Sequence, residues 1–315
     1  MMVRDKQESS FVTKKPLSQK WKGFLFPLSP LRVFSNISSI TIFAVLIALR
    51  MILQLTSIYI PVFSLSISVS WTPLIIIGWI YGPIFGLVAG VVTDTLGVLM
   101  SGSVWFWMYA IQEPIVGFLA GLFGYFCSIR MQSKKSNKAF DWLFFELIIC
   151  IFSAVCVYVL IEETSKNVSF EGKSKLEDFF FKYSIWIILS CILFFFTFVQ
   201  ILMFVFWKKF RNNFVTCAWI VTLVCILSIT ISFLLGPISA NEYYKYLYNQ
   251  DSPYFVKYGI IFYLIPRAFK ESIKAPLQAT ILLIVIPIAN HYINEIKMHK
   301  VLKWTKVEKL KTNSY

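Results

Sequence analysis

Apolar runs of about 20 residues, long enough to cross a bilayer, recur along this chain, and that repetition constrains the fold more than any other feature. The clearest occupy 142–161, 184–206 and 214–235. A denser, glycine-broken group lies between 37 and 126, and the last extends from 266 to about 293. Only 15% of the 315 residues are charged, where a soluble domain carries about a quarter. The expectation is an all-α integral membrane protein with eight spans, at 38–57, 69–82, 83–100, 104–128, 142–161, 184–206, 214–236 and 266–292.

The placement of charge orients these spans. With the N-terminus inside, segments 1–36, 129–141, 207–213 and 293–315 are cytoplasmic and hold twenty Lys and Arg. Outer loops near 162–183 and 237–257 hold six, offset by seven acids. This is the positive-inside pattern, with both termini cytoplasmic. The net charge of +14 is therefore a topology signal and no sign of nucleic-acid binding. The first 36 residues are too long and hydrophilic for a signal peptide, so none is expected. The six cysteines lie in or beside spans without a C-x-x-C pair, and read as small buried hydrophobes.

Four cations fall inside spans: Arg50, Arg267, Lys270 and Lys274. Asp94, Glu113 and Glu271 are embedded too, and Glu146 lies near an inner edge. Each intramembrane charge costs about 2.5–3.5 kcal/mol on insertion scales, so such groups face a cavity or one another, or else snorkel to the interface. On the first helix Ala44 and Ala48 share a stripe, and Arg50 points about 140° from its midline. One face thus suits close approach of another helix while the other carries a cation inward. Gly82, Gly86, Gly90 and Asp94 follow at i+4 steps, and Gly117, Gly121 and Gly124 repeat the small-residue face in the fourth span. In the last span Pro266 suits a first helical turn. Arg267, Lys270, Glu271 and Lys274 then share one stripe at the outer end. Three cations against one acid make either a salt-bridge ladder or a pocket for an anion entering from outside.

The segments "AVLIALRMIL", "SISVSWTP", "GWIYGPIFGLVAGVVTDTLG", "GFLAGLFGYF" and "LIPRAFKESIKAPLQ" resemble the substrate-binding S component of energy-coupling factor (ECF) vitamin transporters, most closely the folate type. The resemblance implies a six-helix core with an inserted helix pair. The chain then divides into a basic tail (1–36), core helices one to four (37–129), the insert (130–213), the last core helices (214–293) and a second basic tail (294–315). It implies a subunit of the bacterial cell membrane that captures a vitamin outside and passes it to a transmembrane T subunit and two ABC-type ATPases. The first-helix Ala-x-x-x-Ala, Ala44 and Ala48, would meet the T subunit. This chain has no P-loop of its own: "EGKSK" at 171–175 has Asn167 where the first glycine belongs. ATP would be used by the partners, and no cofactor is expected here.

Folate presents a flat pterin, an aminobenzoyl ring and two carboxylates. Arg50, Arg267, Lys270 and Lys274 are the cations suited to its tail; Asp94 or Glu113 is suited to the pterin edge. Trp71, Trp105, Trp107 and Tyr109, near outer ends, could face the rings or form an interfacial belt. The alternation in residues 64–70 suits a short extended cap or a linker. A cationic surplus favours an anion, and pantothenate is the rival. Outside transport, a structural or regulatory membrane protein stays open. An enzyme is disfavoured, because the two histidines sit at the cytoplasmic end and H-E-x-x-H is absent. Lysines at 297, 300, 303, 306 and 309 suggest a basic helix on the inner membrane surface.

Overall fold

The computed structural model describes residues 37–60, 65–132, 214–259 and 261–312, with scattered positions between 143 and 205. In chain order the elements are α1 (Ile37–Leu55), β1 (Ile58–Ile60), β2 (Leu65–Ile67), α2 (Trp71–Tyr81), α3 (Pro83–Ser101), α4 (Trp107–Ala110) and α5 (Gln112–Gln132). After the insert come α6 (Phe214–Leu227), a π-helical segment (Ser228–Leu235), α7 (Gly236–Tyr248), α8 (Pro253–Tyr258) and α9 (Ile261–Thr312). Among the described residues, four stretches are long and apolar enough to cross a membrane: Pro83–Ser101, Trp107–Ser128, Phe214–Tyr248 and Tyr263–Ala289. α1 and α2 are shorter apolar helices. The chain is a multi-pass, all-α membrane protein, as its sequence predicts. Among the described residues a small sheet pairs β1 and β2 antiparallel, Ile58 opposite Ile67, and β2 touches α9. Within the segment expected at 64–70 as an extended cap or a linker, Leu65–Ile67 is the strand β2.

α2 is apolar on every side and buried on nearly every side, the arrangement such a helix requires. Eleven residues give about 16 Å, roughly half the hydrocarbon thickness, so α2 is enclosed by other helices. It ends at Gly82, whose φ of 99° is open only to glycine, and Pro83 starts α3 at a position that needs no N–H. Gly82 thus breaks the chain between two helices and does not share a helical face with Gly86 and Gly90, as the i+4 spacing suggests. The remaining glycines do pack as expected. A methyl at Gly86 would strike the Gly117 carbonyl, one at Gly90 would strike Pro114, and one at Gly121 would strike Pro83. α3 and α5 consequently meet backbone to backbone.

α6 continues through the π segment into α7 without interruption from Phe214 to Tyr248. Residues 237–248, expected in an outer loop, are helical instead. Pro237 lacks an N–H and its ring crowds the carbonyl four residues back. The wider i+5 winding just before it relieves that conflict. α9 begins at Ile261, one turn before Pro266, and keeps Pro266, Pro276 and Pro287 inside. Pro266 is thus not the first turn: the apolar residues before it join the helix, and only one ladder hydrogen bond is forgone there. α9 runs on to Thr312, so the basic C-terminal helix is its unbroken extension.

α6 contacts α5 and α9. Most of the spans expected at 142–161 and 184–206 lie outside the described residues. The described positions hold together as a pair, with Gln200 Nε2 donating to Glu146 Oε1 at 2.9 Å. Leu143, Leu147, Ile151, Leu193 and Ile201 are exposed, as suits helices that face lipid or a partner. Phe145 and Val199 are buried in the core, because the Trp219 ring on α6 receives Phe145 at 5.0 Å.

Candidate functional site

The embedded charges form two buried groups. In the first, Arg50 projects from α1 onto Glu113 at the start of α5. Its Nη2 meets Glu113 Oε1, Nε donates to Oε2 at 3.2 Å, and Nη1 donates to Gln54. Thr93 of α3 donates to the same Glu113 Oε2 at 2.7 Å. Gly97 leaves space for Gln54 on the α3 side. A guanidinium fork on a carboxylate satisfies several buried donors at once, and Arg50 is only 2% exposed. Ala44 and Ala48 are on the opposite, exposed face of α1. Asp94 is half-buried and in electrostatic reach of Arg50, while Thr93 takes the interior position predicted for Asp94. Steps of four residues drift about 40° each, so the buried face passes from Gly90 to Thr93.

The second group is the α9 stripe. Glu271 receives Ser228 at 2.7 Å, Ser232 at 2.6 Å and Lys274 Nζ at 3.0 Å. Both serines belong to the π segment, whose winding turns them together toward α9. Lys274 Nζ also sits 3.7 Å from the centre of the Trp71 ring, a cation–π contact. Arg267 lies within electrostatic reach of the Tyr109 phenol and occupies the space that a side chain at Gly236 would need. Lys270, half-buried between them, makes no hydrogen bond or ion pair among the described residues.

The α4–α5 segment joins the two groups. Tyr109 reaches Arg267 on one side, Glu113 reaches Arg50 on the other, and Gln112 donates to Ser239 of α7 at 3.3 Å. Trp105 and Trp107 do not join this arrangement. The backbone is extended at Phe106, so neighbouring side chains alternate: Phe106 is buried while both tryptophans are exposed. Phe106 lies against the rings of Tyr109, Tyr243 and Tyr246, forming an aromatic roof near Arg267. A second polar cluster closes this end. Asn241 donates to Asp251 at 3.2 Å and accepts from the Ser252 backbone N–H at 3.3 Å, and Tyr263 donates to Ser252 at 2.9 Å. Phe106, Ser228, Ser232 and Tyr243 escaped the sequence reading: uncharged residues in apolar runs carry no signal until their partners are placed. Among the described residues no group of His, Cys, Asp and Glu suits a metal.

Comparison with known proteins agrees with this architecture. Residues 34–175 match the family described as the S component of the ECF-type riboflavin transporter. The chain is 30% identical over 286 residues to the uncharacterized MG313 homolog of Mycoplasma pneumoniae, covering 89% of this chain and 99% of that protein. It is 30% identical over 288 residues to MG313 of Mycoplasma genitalium, with the same coverage. A UPF0397 protein of Streptococcus pneumoniae is 29% identical over 116 residues, 36% of this chain and 60% of that protein.

Proposed function

Because this chain belongs to the family of the mycoplasmal MG313 proteins, and its residues 34–175 are similar to ECF-type S components, we propose that it captures an anionic vitamin outside the membrane for import. The ligand class is a carboxylate such as folate, with pantothenate as the alternative. Delivery would pass through a T subunit and two ATPases, docked on the Ala44 and Ala48 face of α1. The observation that carries this reading is the state of charge along α9. Glu271 neutralises Lys274 and is saturated by two serines, which leaves Arg267 with a phenol and Lys270 with no ion-pair partner among the described residues. A half-buried surplus of positive charge is costly in a membrane unless an anion completes it, and weak screening there strengthens the attraction. Arg50 contributes less directly, because Glu113 already occupies its fork.

Riboflavin is the second reading, since the matching family is described by that vitamin; its uncharged ring system makes no use of Lys270. Binding of folate, pantothenate and riboflavin to the detergent-purified chain separates the cases. Lys270→Met is expected to weaken carboxylate binding about tenfold or more, the effect of losing a hydrogen bond to a charged group. Riboflavin binding that ignores this substitution, with no carboxylate binding at all, would sink the anion reading.

A further inference from the structure

Gln278 continues the α9 stripe one turn beyond Lys274. At 100° per residue it lies on the same face as Arg267, Glu271 and Lys274. It is 3% exposed, and its Nε2 has no hydrogen-bond partner. Thr72, also 3% exposed, has an unpartnered hydroxyl. It follows Trp71, the residue whose ring carries Lys274, and α2 touches α9. Gln278 thus lies one turn past Lys274 along α9, and Thr72 lies one residue past the Trp71 that Lys274 touches. Buried polar atoms are nearly always paired, and each exception calls for an explanation. Two exceptions flanking the same α2–α9 contact share one explanation here.

We propose that Gln278 and Thr72 form an inner, uncharged polar subsite that recognises the hydrogen-bonding edge of a ring, in a ligand whose anionic end is held farther out by Lys270 and Arg267. This rests on the anionic-vitamin reading and extends it. An amide N–H₂ only donates, whereas a hydroxyl both donates and accepts. Together they suit a ring edge that offers an acceptor beside a donor, such as a lactam or ring nitrogen next to N–H. Eight residues separate Lys270 from Gln278, about 12 Å of helix at 1.5 Å per residue. The ligand is therefore elongated, with charge and ring edge held about that far apart.

The test uses the full chain in detergent with three probes: folate, which has ring edge and carboxylates; p-aminobenzoylglutamate, which has the carboxylates without the pterin; and riboflavin, which has a ring edge without carboxylate. Gln278→Leu is expected to weaken folate about tenfold, as for one lost hydrogen bond, and to leave p-aminobenzoylglutamate unchanged. The unliganded melting temperature should stay level or rise, because an orphan donor is removed. Thr72→Val should act in the same direction and serves if the first variant fails to fold. The subsite is overturned if no ring-bearing probe binds wild type more tightly than Gln278→Leu. It is equally overturned if the variant only loses thermal stability, the result expected when an internal water satisfies the amide. Riboflavin weakened by Gln278→Leu, without any carboxylate binding, keeps the subsite and removes the anion reading. Folate weakened by Lys270→Met alone does the reverse.

Discussion

At the scale of single residues, the buried charges divide by what already satisfies them. Arg50 and Glu113 are mutually paired and further bonded to Gln54 and Thr93, so removing either partner strands a charge in an apolar interior. Arg50→Ala or Glu113→Ala should each destabilise the fold by about 3–5 kcal/mol, read as a fall in melting temperature of the unliganded protein. Replacing both with leucine should restore much of that loss. If the double variant is as unstable as the singles, the pair does not act as a unit. The apolar context of Arg50 left two outcomes, burial against a partner or snorkelling to the interface, and the structure buries it. Its partner was not legible, because Glu113 lies 63 positions away and only the packing of α1 against α2 and α3, with α3 in turn against α5, brings the two together. The same holds for Glu271, whose serine partners look like ordinary residues of an apolar run.

At the scale of elements, the sequence was most informative where sterics act locally. The glycines of α3 and α5 announced a close helix contact, and the structure brings Gly86 against Gly117. Gly117→Ala should cost about 1–3 kcal/mol, the usual range for overpacking, measured as reduced thermal stability. Gly102→Ala is the matched control. Its φ is 63°, and nothing lies within 4 Å of an added methyl, so only the left-handed backbone penalty of about 1–2 kcal/mol remains. Element boundaries were less legible. Gly236 and Pro237 look like a stop, yet the π winding carries the helix past them; Pro266 looks like a start, yet α9 begins a turn earlier. Proline reports a missing hydrogen bond, and a neighbouring helix decides whether the loss is tolerated.

At the scale of the whole molecule, the proposed function divides α1 between two tasks. Its inward face carries Arg50 and its outward face presents Ala44 and Ala48. Ala44→Trp with Ala48→Trp should leave ligand affinity of the isolated chain unchanged while uptake by the reconstituted transporter is lost. If affinity falls as well, that face is part of the internal packing. The multi-pass character was readable from the recurrent apolar runs, whereas the seating of Phe145 on Trp219 was not, since one buried phenylalanine among many exposed ones has no signature.

The unbroken rod from Phe214 to Tyr248 has a consequence for the outer surface. Its 35 residues extend about 52 Å at 1.5 Å each, against a hydrocarbon layer of about 30 Å. Upright, a rod of that length exceeds the hydrocarbon layer by about two-fifths of its own length. In the orientation expected from charge placement, that excess falls at the outer end, where Tyr243, Tyr244, Tyr246 and Tyr248 would be what an antibody or protease approaching from the medium meets first.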